Sequence, residues 1–178
     1  MIRLLKSELK NNTRPDADIA MSSWKNPMER NDQYFLKEAI KEAKKAYLKD
    51  EVPVGCVIVL NNKIIARGHN MKESKNNALL HAEMVAINKA IKKLGTSILP
   101  EATLYVTLEP CLMCAGAIFQ TRIKRVVYGV SEPKFGVLGS ILSLQDVKEF
   151  NHKIEVTKGI FAEQIGIMMK EFFRRLRK

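Results

Sequence analysis

Cysteine is scarce in this sequence, which holds only three among its 178 residues. Cys111 and Cys114 form a Cys-x-x-Cys pair, and Cys56 lies inside an apolar stretch. An odd count with one close pair is not the pattern of a disulfide-stabilised secreted domain. It is typical of a reduced compartment, in which the pair binds a metal or acts in redox chemistry.

Long apolar runs are also missing. No stretch approaches the roughly 20 apolar residues that a membrane-spanning helix needs, so we expect no membrane-spanning segment. Hydrophobic residues nevertheless make up 46% of the chain, which is typical of a folded globular protein. A length of 178 residues suits one α/β domain with a well-filled core and is too short for two ordinary domains.

Acidic side chains are outnumbered, with 19 Asp and Glu against 30 Lys and Arg and a formal net charge of +11. Residues 1–27 carry five basic and three acidic side chains, so most of the excess belongs to the rest of the chain. Such an excess favours a polyanion, a nucleic acid above all, as partner. Lysines spread over a solvated surface would give the same count.

The first 28 residues have no clear pattern. Pro15 and Pro27 interrupt them, and we interpret residues 1–28 as an irregular extension ahead of one domain over residues 29–178. The early basic residues would suit an organellar transit peptide, but acids such as Asp16 are rare in such peptides. We therefore expect a cytoplasmic protein, with organellar targeting by the extension as the alternative.

Hydrophobic periodicity predicts alternating helices and strands. The predicted helices cover Glu29–Lys49, Ala82–Leu94, Cys111–Thr121 and Ile160–Lys178. The predicted strands cover Val54–Leu60, Lys63–Gly68, Thr103–Leu108, Arg125–Val130 and Ile154–Thr157. This order predicts an α/β fold of three layers, α/β/α, with one mixed sheet of about five strands.

Two short motifs carry the chemistry, His81-Ala82-Glu83 and Pro110-Cys111-Leu112-Met113-Cys114. A Cys-x-x-Cys pair lets two sulfurs bind one tetrahedral ion, and a distant histidine adds a nitrogen. Each motif stands at a predicted helix start, where unpaired N–H groups favour a thiolate. Three protein ligands leave one position open for water, as in catalytic zinc sites.

Glu83 follows His81 by two residues and is the natural proton carrier for a water activated at such a site. Spacing alone does not place it there, because residues i and i+2 do not share a helix face, although they can converge at a helix end. The combination H-x-E and P-C-x-x-C is the signature of the zinc-dependent nucleobase deaminases.

Other interpretations of these residues remain open. The Cys-x-x-Cys pair alone is also a redox pattern, but that leaves His81 and Glu83 without a role. Cys56 or His69 as a fourth ligand would close the zinc site and make it structural. In that case the chain would be a zinc-stabilised nucleic-acid-binding module without catalysis.

Beyond these motifs, the chain from about Glu29 to Lys178 resembles the bacterial tRNA-specific adenosine deaminases, which have the cytidine-deaminase-like fold. The matching stretches are Glu51–Gly55, Gly68–Asn70, His81–Glu83, Ala102–Cys111, Met113–Ala117, Arg122–Ile123, Gly139–Ser140, Asn151–His152 and Phe172–Arg174. The resemblance implies one Zn²⁺ per subunit, held by His81, Cys111 and Cys114, and Glu83 as the general acid and base.

The resemblance further implies the substrate and the assembly. The family works as a homodimer that binds a tRNA anticodon loop across both subunits and converts the wobble adenosine to inosine. By this resemblance Asn70 contacts the base, and the basic tail Arg174–Lys178 is a candidate phosphate-contact region, although a solvated helix end explains it almost as well. The alternative is a deaminase of a free base or nucleotide, such as guanine or cytosine.

Two segments of the domain depart from the family pattern, and the N-terminal 28 residues have no counterpart in it. Leu80 precedes the candidate ligand His81, where the family usually has a small residue, and Leu79 stands in the adjoining turn. The loop after the fourth predicted strand carries Glu132, where the family usually has an aspartate close to a sugar hydroxyl. Glu132 keeps the charge and adds one methylene, and we expect it to contact the substrate.

Overall fold

The computed structural model of the chain describes residues 31–177, and the predicted extension over residues 1–28 lies outside this range. The described part contains four α-helices and five β-strands. In chain order these are α1 (Asp32–Tyr47), β1 (Gly55–Leu60), β2 (Lys63–His69), α2 (Ala82–Leu94), β3 (Thr103–Leu108), α3 (Leu112–Gln120), β4 (Arg125–Val130), β5 (Glu155–Lys158) and α4 (Ala162–Leu176), with a short 3₁₀ turn at Leu144–Asp146 before β5.

The five strands form one mixed sheet in the order β2-β1-β3-β4-β5. β1 pairs antiparallel with both β2 and β3, whereas β3, β4 and β5 run parallel. Asn61 and Asn62 join β1 to β2 with positive φ angles of 49° and 58°, a conformation that asparagine tolerates and that tight hairpins require. The mixed sheet and its first hairpin confirm the predictions.

Strand residues alternate between the two faces of the sheet, as the pleat requires. In β1, Cys56 and Ile58 belong to the core under α2 and α3, and Val57 and Val59 belong to the core under α1 and α4. Both faces of the sheet are thus covered by helices, which confirms the predicted three-layer α/β/α fold.

Glycine at position 68 lets α2 approach the sheet at the point where the candidate site begins. A Cβ on Gly68 would lie 2.2 Å from the carbonyl oxygen of Ala82, the first residue of α2. No other residue type permits this contact without moving the helix. The contact therefore fixes the start of α2, and with it His81, beside the end of β2.

The last helix begins later than predicted. Gly159 and Phe161 have positive φ angles of 95° and 57°, which are incompatible with a right-handed helix, so α4 starts at Ala162 rather than Ile160. Its predicted apolar stripe is only partly buried, since Ile165 and Phe172 are in the core while Phe173 remains 43% exposed. Among residues 31–177, no helix is both long and apolar enough to cross a membrane.

Candidate active site

Two helices begin at the candidate site, and each has a predicted metal ligand as its N-cap residue. His81 precedes α2 with extended backbone angles (φ −69°, ψ 155°), and Cys111 precedes α3 in the same way (φ −76°, ψ 174°). Neither side chain caps its own helix, so both are free to face each other. Cys114 lies in the first turn of α3, where the positive end of the helix dipole favours a thiolate.

The three predicted ligands converge on one point. Nδ1 of His81 lies 3.7 Å from Sγ of Cys111 and 3.6 Å from Sγ of Cys114, and all three atoms lie within 4.8 Å of one another. Tetrahedral zinc, with Zn–S of about 2.3 Å and Zn–N of about 2.05 Å, requires an S···N separation of about 3.6 Å. The donor set and its spacing fit zinc.

Protein groups already favour one thiolate in this cluster. A hydrogen bond from Cys114 lowers the pKa of the Cys111 thiol to about 4, against the effect of burial, and a hydrogen bond from His81 adds to this. The pKa of Cys114 is raised, because it donates that bond and is buried. The proton shared by the two thiols must leave when both bind a metal.

Glu83 reaches the same cluster, although it stands only two residues from His81. Its side chain is 4% exposed and lines the same cavity as His81 and Cys111. Burial, together with the nearby charge of Cys111, raises the pKa of Glu83 to about 7, while His81 acts in the opposite direction. The start of the helix thus allows the convergence that a helix interior forbids.

A cavity of about 380 Å³ opens onto this cluster, and its lining includes His81, Glu83 and Cys111. Asn70, at the end of β2, also lines it and is buried. Oδ1 of Asn70 accepts the N–H of Ala82 at 2.9 Å, so the oxygen is occupied and its amide NH₂ is the group left to donate to a ligand in the cavity.

Glu132 lines the cavity from the loop after β4. One of its carboxylate oxygens accepts the N–H of Lys134 at 2.9 Å, so the side chain both closes its own loop and faces the pocket. The structure therefore brings all six predicted site residues to one place: the three candidate ligands, Glu83, Asn70 and Glu132. Their individual roles stay predictions.

Glu109 organises this loop, although no sequence motif identified it as a site residue. The side chain is 2% exposed and accepts N–H groups of Glu132, Leu138 and Ser140 at 3.0, 3.0 and 3.1 Å. The hydroxyl of Ser140 donates a further bond. An acid between a buried strand and a helix start, in Leu-Glu-Pro-Cys, was the available signal.

Glu51 plays the matching part for the loop before α2. It is 1% exposed and accepts the N–H groups of Ser74 and Glu73 at 2.7 and 3.1 Å. Burial raises the pKa of Glu51, but these backbone bonds outweigh it and hold the pKa below its ordinary value. Two buried carboxylates thus fix the two loops that shape the cavity.

Neither candidate for a fourth ligand belongs to the cluster. Cys56 is fully buried in the apolar core, as expected for a small core residue. His69 lies between Glu42 and Lys49, at 3.2 and 3.3 Å. Within residues 31–177 the candidate metal group consists of His81 and the two cysteines of the Cys-x-x-Cys pair, which is the composition of an open site.

The basic end of α4 is partly used within the protein. Arg175 pairs with Asp50 at 2.5 Å and stacks over the ring of Tyr47, 4.6 Å from its centroid. It therefore holds α4 against the end of α1. Arg174 and Arg177 remain exposed, and Lys178 lies outside the described range.

Known proteins similar to this chain are deaminases. The sequence model of the MafB19-like deaminase family matches residues 30–177. A tRNA-specific adenosine deaminase of Bacillus subtilis is 52% identical over 147 residues, which cover 83% of this chain and 91% of that protein.

Solved structures of similar sequence are also deaminases. A structure from a study of A-to-I editing by tRNA:A34 deaminases at the wobble position has a TM-score of 0.73 and 39% identity, over 76% of this chain and 98% of that one. A guanine deaminase of Bacillus subtilis is 40% identical with a TM-score of 0.55, but over 57% of this chain and 66% of that one. The match that extends over nearly the whole domain decides the assignment, and this chain belongs to the family of the bacterial tRNA-specific adenosine deaminases.

Proposed function

We propose that this protein hydrolyses the 6-amino group of adenosine at the wobble position of a tRNA, giving inosine and ammonia. The observation that carries the proposal is the open cluster of His81, Cys111 and Cys114 at the end of a cavity that also contains Glu83. The similarity to a tRNA-specific adenosine deaminase over 83% of the chain supports the choice of substrate.

His81, Cys111 and Cys114 would hold one Zn²⁺ per subunit. When bound by three protein ligands, zinc leaves a position for water and brings the pKa of that water near 7. A thiolate pair and an imidazole are the ligands that zinc prefers. The backbone N–H of Cys114, in the first turn of α3, hydrogen-bonds to Cys111 and favours its thiolate.

Glu83 acts as the proton carrier. Its carboxyl group is buried and lines the cavity beside His81 and Cys111, so it is placed to accept a proton from the attacking water and to release it again. It passes the first proton of the water to a ring nitrogen of adenine while the hydroxyl bonds to C6. It then passes the proton of that hydroxyl to the amino group, which leaves as ammonia as the C6–N bond breaks, so that adenosine and water give inosine and ammonia. Asn70 donates its amide hydrogens to the base and holds it against the cluster, and Glu132 faces the sugar.

Exposed lysines at the mouth of the cavity, whose interior carries the carboxylates of Glu83, Glu109 and Glu132, suit RNA rather than a free base. Lys72 lines the cavity and is exposed, and Lys134 is exposed on the opposite loop. The net charge of the chain is +11, which raises the local concentration of a polyanion. A wobble adenosine lies in a single-stranded loop, so turning it into the cavity costs less than extracting a base from a duplex. Such a tRNA substrate would be met in the cytoplasm.

A homodimer is part of this proposal, and the surface beside α3 is suited to it. A groove of about 670 Å³ is lined by Leu112, Ile98 and Phe150, whose side chains are 61%, 47% and 39% exposed. Gly116 also lines the groove, and the space above its Cα is open, since a Cβ there would meet nothing within 4 Å. Because Leu112, which lines the groove, follows Cys111, which lines the cavity, a second copy seated here would lie beside the cavity.

The deciding experiment incubates the zinc-loaded protein with an arginine tRNA that has adenosine at the wobble position. Reverse transcription reads inosine as G, so we expect conversion at this one nucleotide. Glu83→Gln, which keeps the size of the side chain and removes its basicity, should retain zinc and RNA binding and lose activity. A fully active Glu83→Gln variant would refute the role of Glu83.

The same assay distinguishes the alternative. A folded, zinc-loaded protein that leaves the tRNA unchanged but releases ammonia from guanine or cytosine would be a deaminase of free bases or nucleotides. The partial likeness to a guanine deaminase makes guanine the first free base to test. A protein that binds zinc and RNA but deaminates nothing would instead be a binding module.

A further inference from the structure

A large aromatic side chain stands exposed at the mouth of the candidate cavity. Phe135 lines the cavity, yet 68% of its surface is exposed. No other phenylalanine or tyrosine of residues 31–177 is as exposed. Single exposed apolar side chains are common on protein surfaces, but this ring stands at the mouth of the candidate cavity, where a bound substrate would meet it. Neither the core nor the metal cluster accounts for its position.

The loop that bears Phe135 is held rigidly. The N–H of Gly136 donates to the carbonyl of Glu132 at 2.9 Å, and the N–H of Val137 donates to the carbonyl of Pro110 at 3.2 Å. A Cβ on Gly136 would lie 2.5 Å from Oε2 of Glu109, so this turn packs directly on the buried carboxylate. The backbone that bears the ring therefore has a fixed position relative to the start of α3 and the candidate ligand Cys111.

The surroundings of the ring suit a single-stranded nucleic acid. Lys134 precedes it on the same loop, and Lys72 is on the rim of the same cavity. Exposed aromatic rings on which bases stack, together with lysines that contact phosphates, are the usual elements of single-strand binding. When one nucleoside occupies the cavity, its phosphodiester links keep the neighbouring nucleotides at the mouth, where Phe135 stands.

We propose that Phe135 is a specificity-determining residue, whose ring stacks on the nucleobase next to the adenosine that enters the cavity. The inference rests on the proposed function and names the part of the RNA that this side chain contacts. Phe135 does not touch the reacting atoms, so it contributes to binding of the RNA and to the choice of sequence context, and not to the chemical step.

The first test separates binding from chemistry. Phe135→Leu keeps an apolar side chain and removes the ring, and we expect it to raise KM for an anticodon stem-loop roughly 5- to 150-fold, the range for the loss of one base stack. kcat should stay within about twofold. Phe135→Tyr retains the ring and should restore KM. As a control, Leu94→Ala removes an exposed apolar group at the far end of α2, about 20 Å of helix from His81, and should change neither constant.

The second test identifies the contacted base. Two stem-loops are compared, with an abasic nucleotide on the 5′ or the 3′ side of the adenosine. For the stem-loop that lacks the contacted base, KM of the wild-type protein should rise by the same factor as Phe135→Leu causes on the intact stem-loop. KM of Phe135→Leu should not rise further with that stem-loop. Additive losses, an unchanged KM for Phe135→Leu, or a fall in kcat alone would overturn the proposal. So would dissociation of a dimer by Phe135→Leu in size-exclusion chromatography, which would assign the ring to a subunit interface.

A readout without catalysis keeps this proposal distinct from the proposed function. 2-Aminopurine placed beside the adenosine loses fluorescence when it stacks, and we expect stronger quenching by the wild-type protein than by Phe135→Leu. Quenching of this kind without deamination would refute the proposed function and support the stacking role of Phe135. Deamination with equal quenching by both proteins would support the proposed function and refute the stacking role of Phe135.

Discussion

Replacing Glu109 by glutamine tests whether a buried carboxylate holds the loop that shapes the cavity. Glu109 is 2% exposed, and all its partners in the loop are donors: three backbone N–H groups and the hydroxyl of Ser140. Glutamine has the same shape but presents an NH₂ in place of one carboxylate oxygen. At least one backbone N–H would therefore face another donor.

The expected loss in the free energy of unfolding follows from the hydrogen bonds that Glu109→Gln removes. A hydrogen bond to a charged group contributes about 1.5–3 kcal/mol, and a buried N–H left without an acceptor adds a penalty of similar size. We expect Glu109→Gln to lower the free energy of unfolding by about 2–4 kcal/mol. For a chain of this length that corresponds to a fall in Tm of roughly 4–15 °C.

Thermal unfolding of the zinc-loaded protein measures the effect, with Glu101→Gln as the matched control. The side chain of Glu101 is 71% exposed and its nearest cation, on Lys124, lies 3.8 Å away, so its loss should change Tm by about 2 °C or less. A Glu109→Gln variant as stable as the control would show that the loop does not depend on this carboxylate. KM for the RNA should rise as well, because Glu132 and Phe135 lie on the loop.

Three further predictions concern the metal, an ion pair and the dimer. His81→Ala should lose zinc in metal analysis, while Glu83→Gln should keep it; equal zinc contents would refute the ligand assignment. Asp32→Asn breaks the paired bonds to Arg125 at 2.8 and 2.6 Å and should cost about 1–2 kcal/mol in urea unfolding at pH 7. Since the hydrogen bonds to Arg125 hold the pKa of Asp32 below its ordinary value, this difference should persist above about pH 4 and vanish as pH falls through the native pKa; a difference independent of pH would contradict the ion pair. Leu112→Glu places a charge in the apolar groove and should yield monomers in light scattering, whereas an unchanged mass would exclude this groove as the interface.

Much of the fold could be predicted from the sequence, because local patterns of apolar and turn residues determine it. α2, β3 and β4 begin and end at the predicted residues. Each corresponds to one stretch of regularly spaced apolar residues and is followed by a turn residue or a loop. The start of α4 was predicted two residues early, because its boundary depends on the backbone at Gly159 and Phe161 rather than on the apolar pattern.

The sequence by itself determined the type of chemistry. The spacing within Cys-x-x-Cys decides which sulfur atoms one turn of helix can present, and this is a local property of the chain. Together with the H-x-E signature it indicated the three candidate ligands and the proton carrier, and the ligand atoms do lie within 4.8 Å of one another.

Only the tertiary structure decided what surrounds that chemistry. The carboxylates of Glu109 and Glu51 bind loops that are 22 to 31 residues away along the chain, and no local pattern shows which distant N–H groups a buried acid will accept. The exposure of Phe135 at the cavity mouth likewise depends on a turn packed against Glu109. Packing between segments far apart in sequence is a property of the folded chain, and it determines the shape of the pocket and its rim.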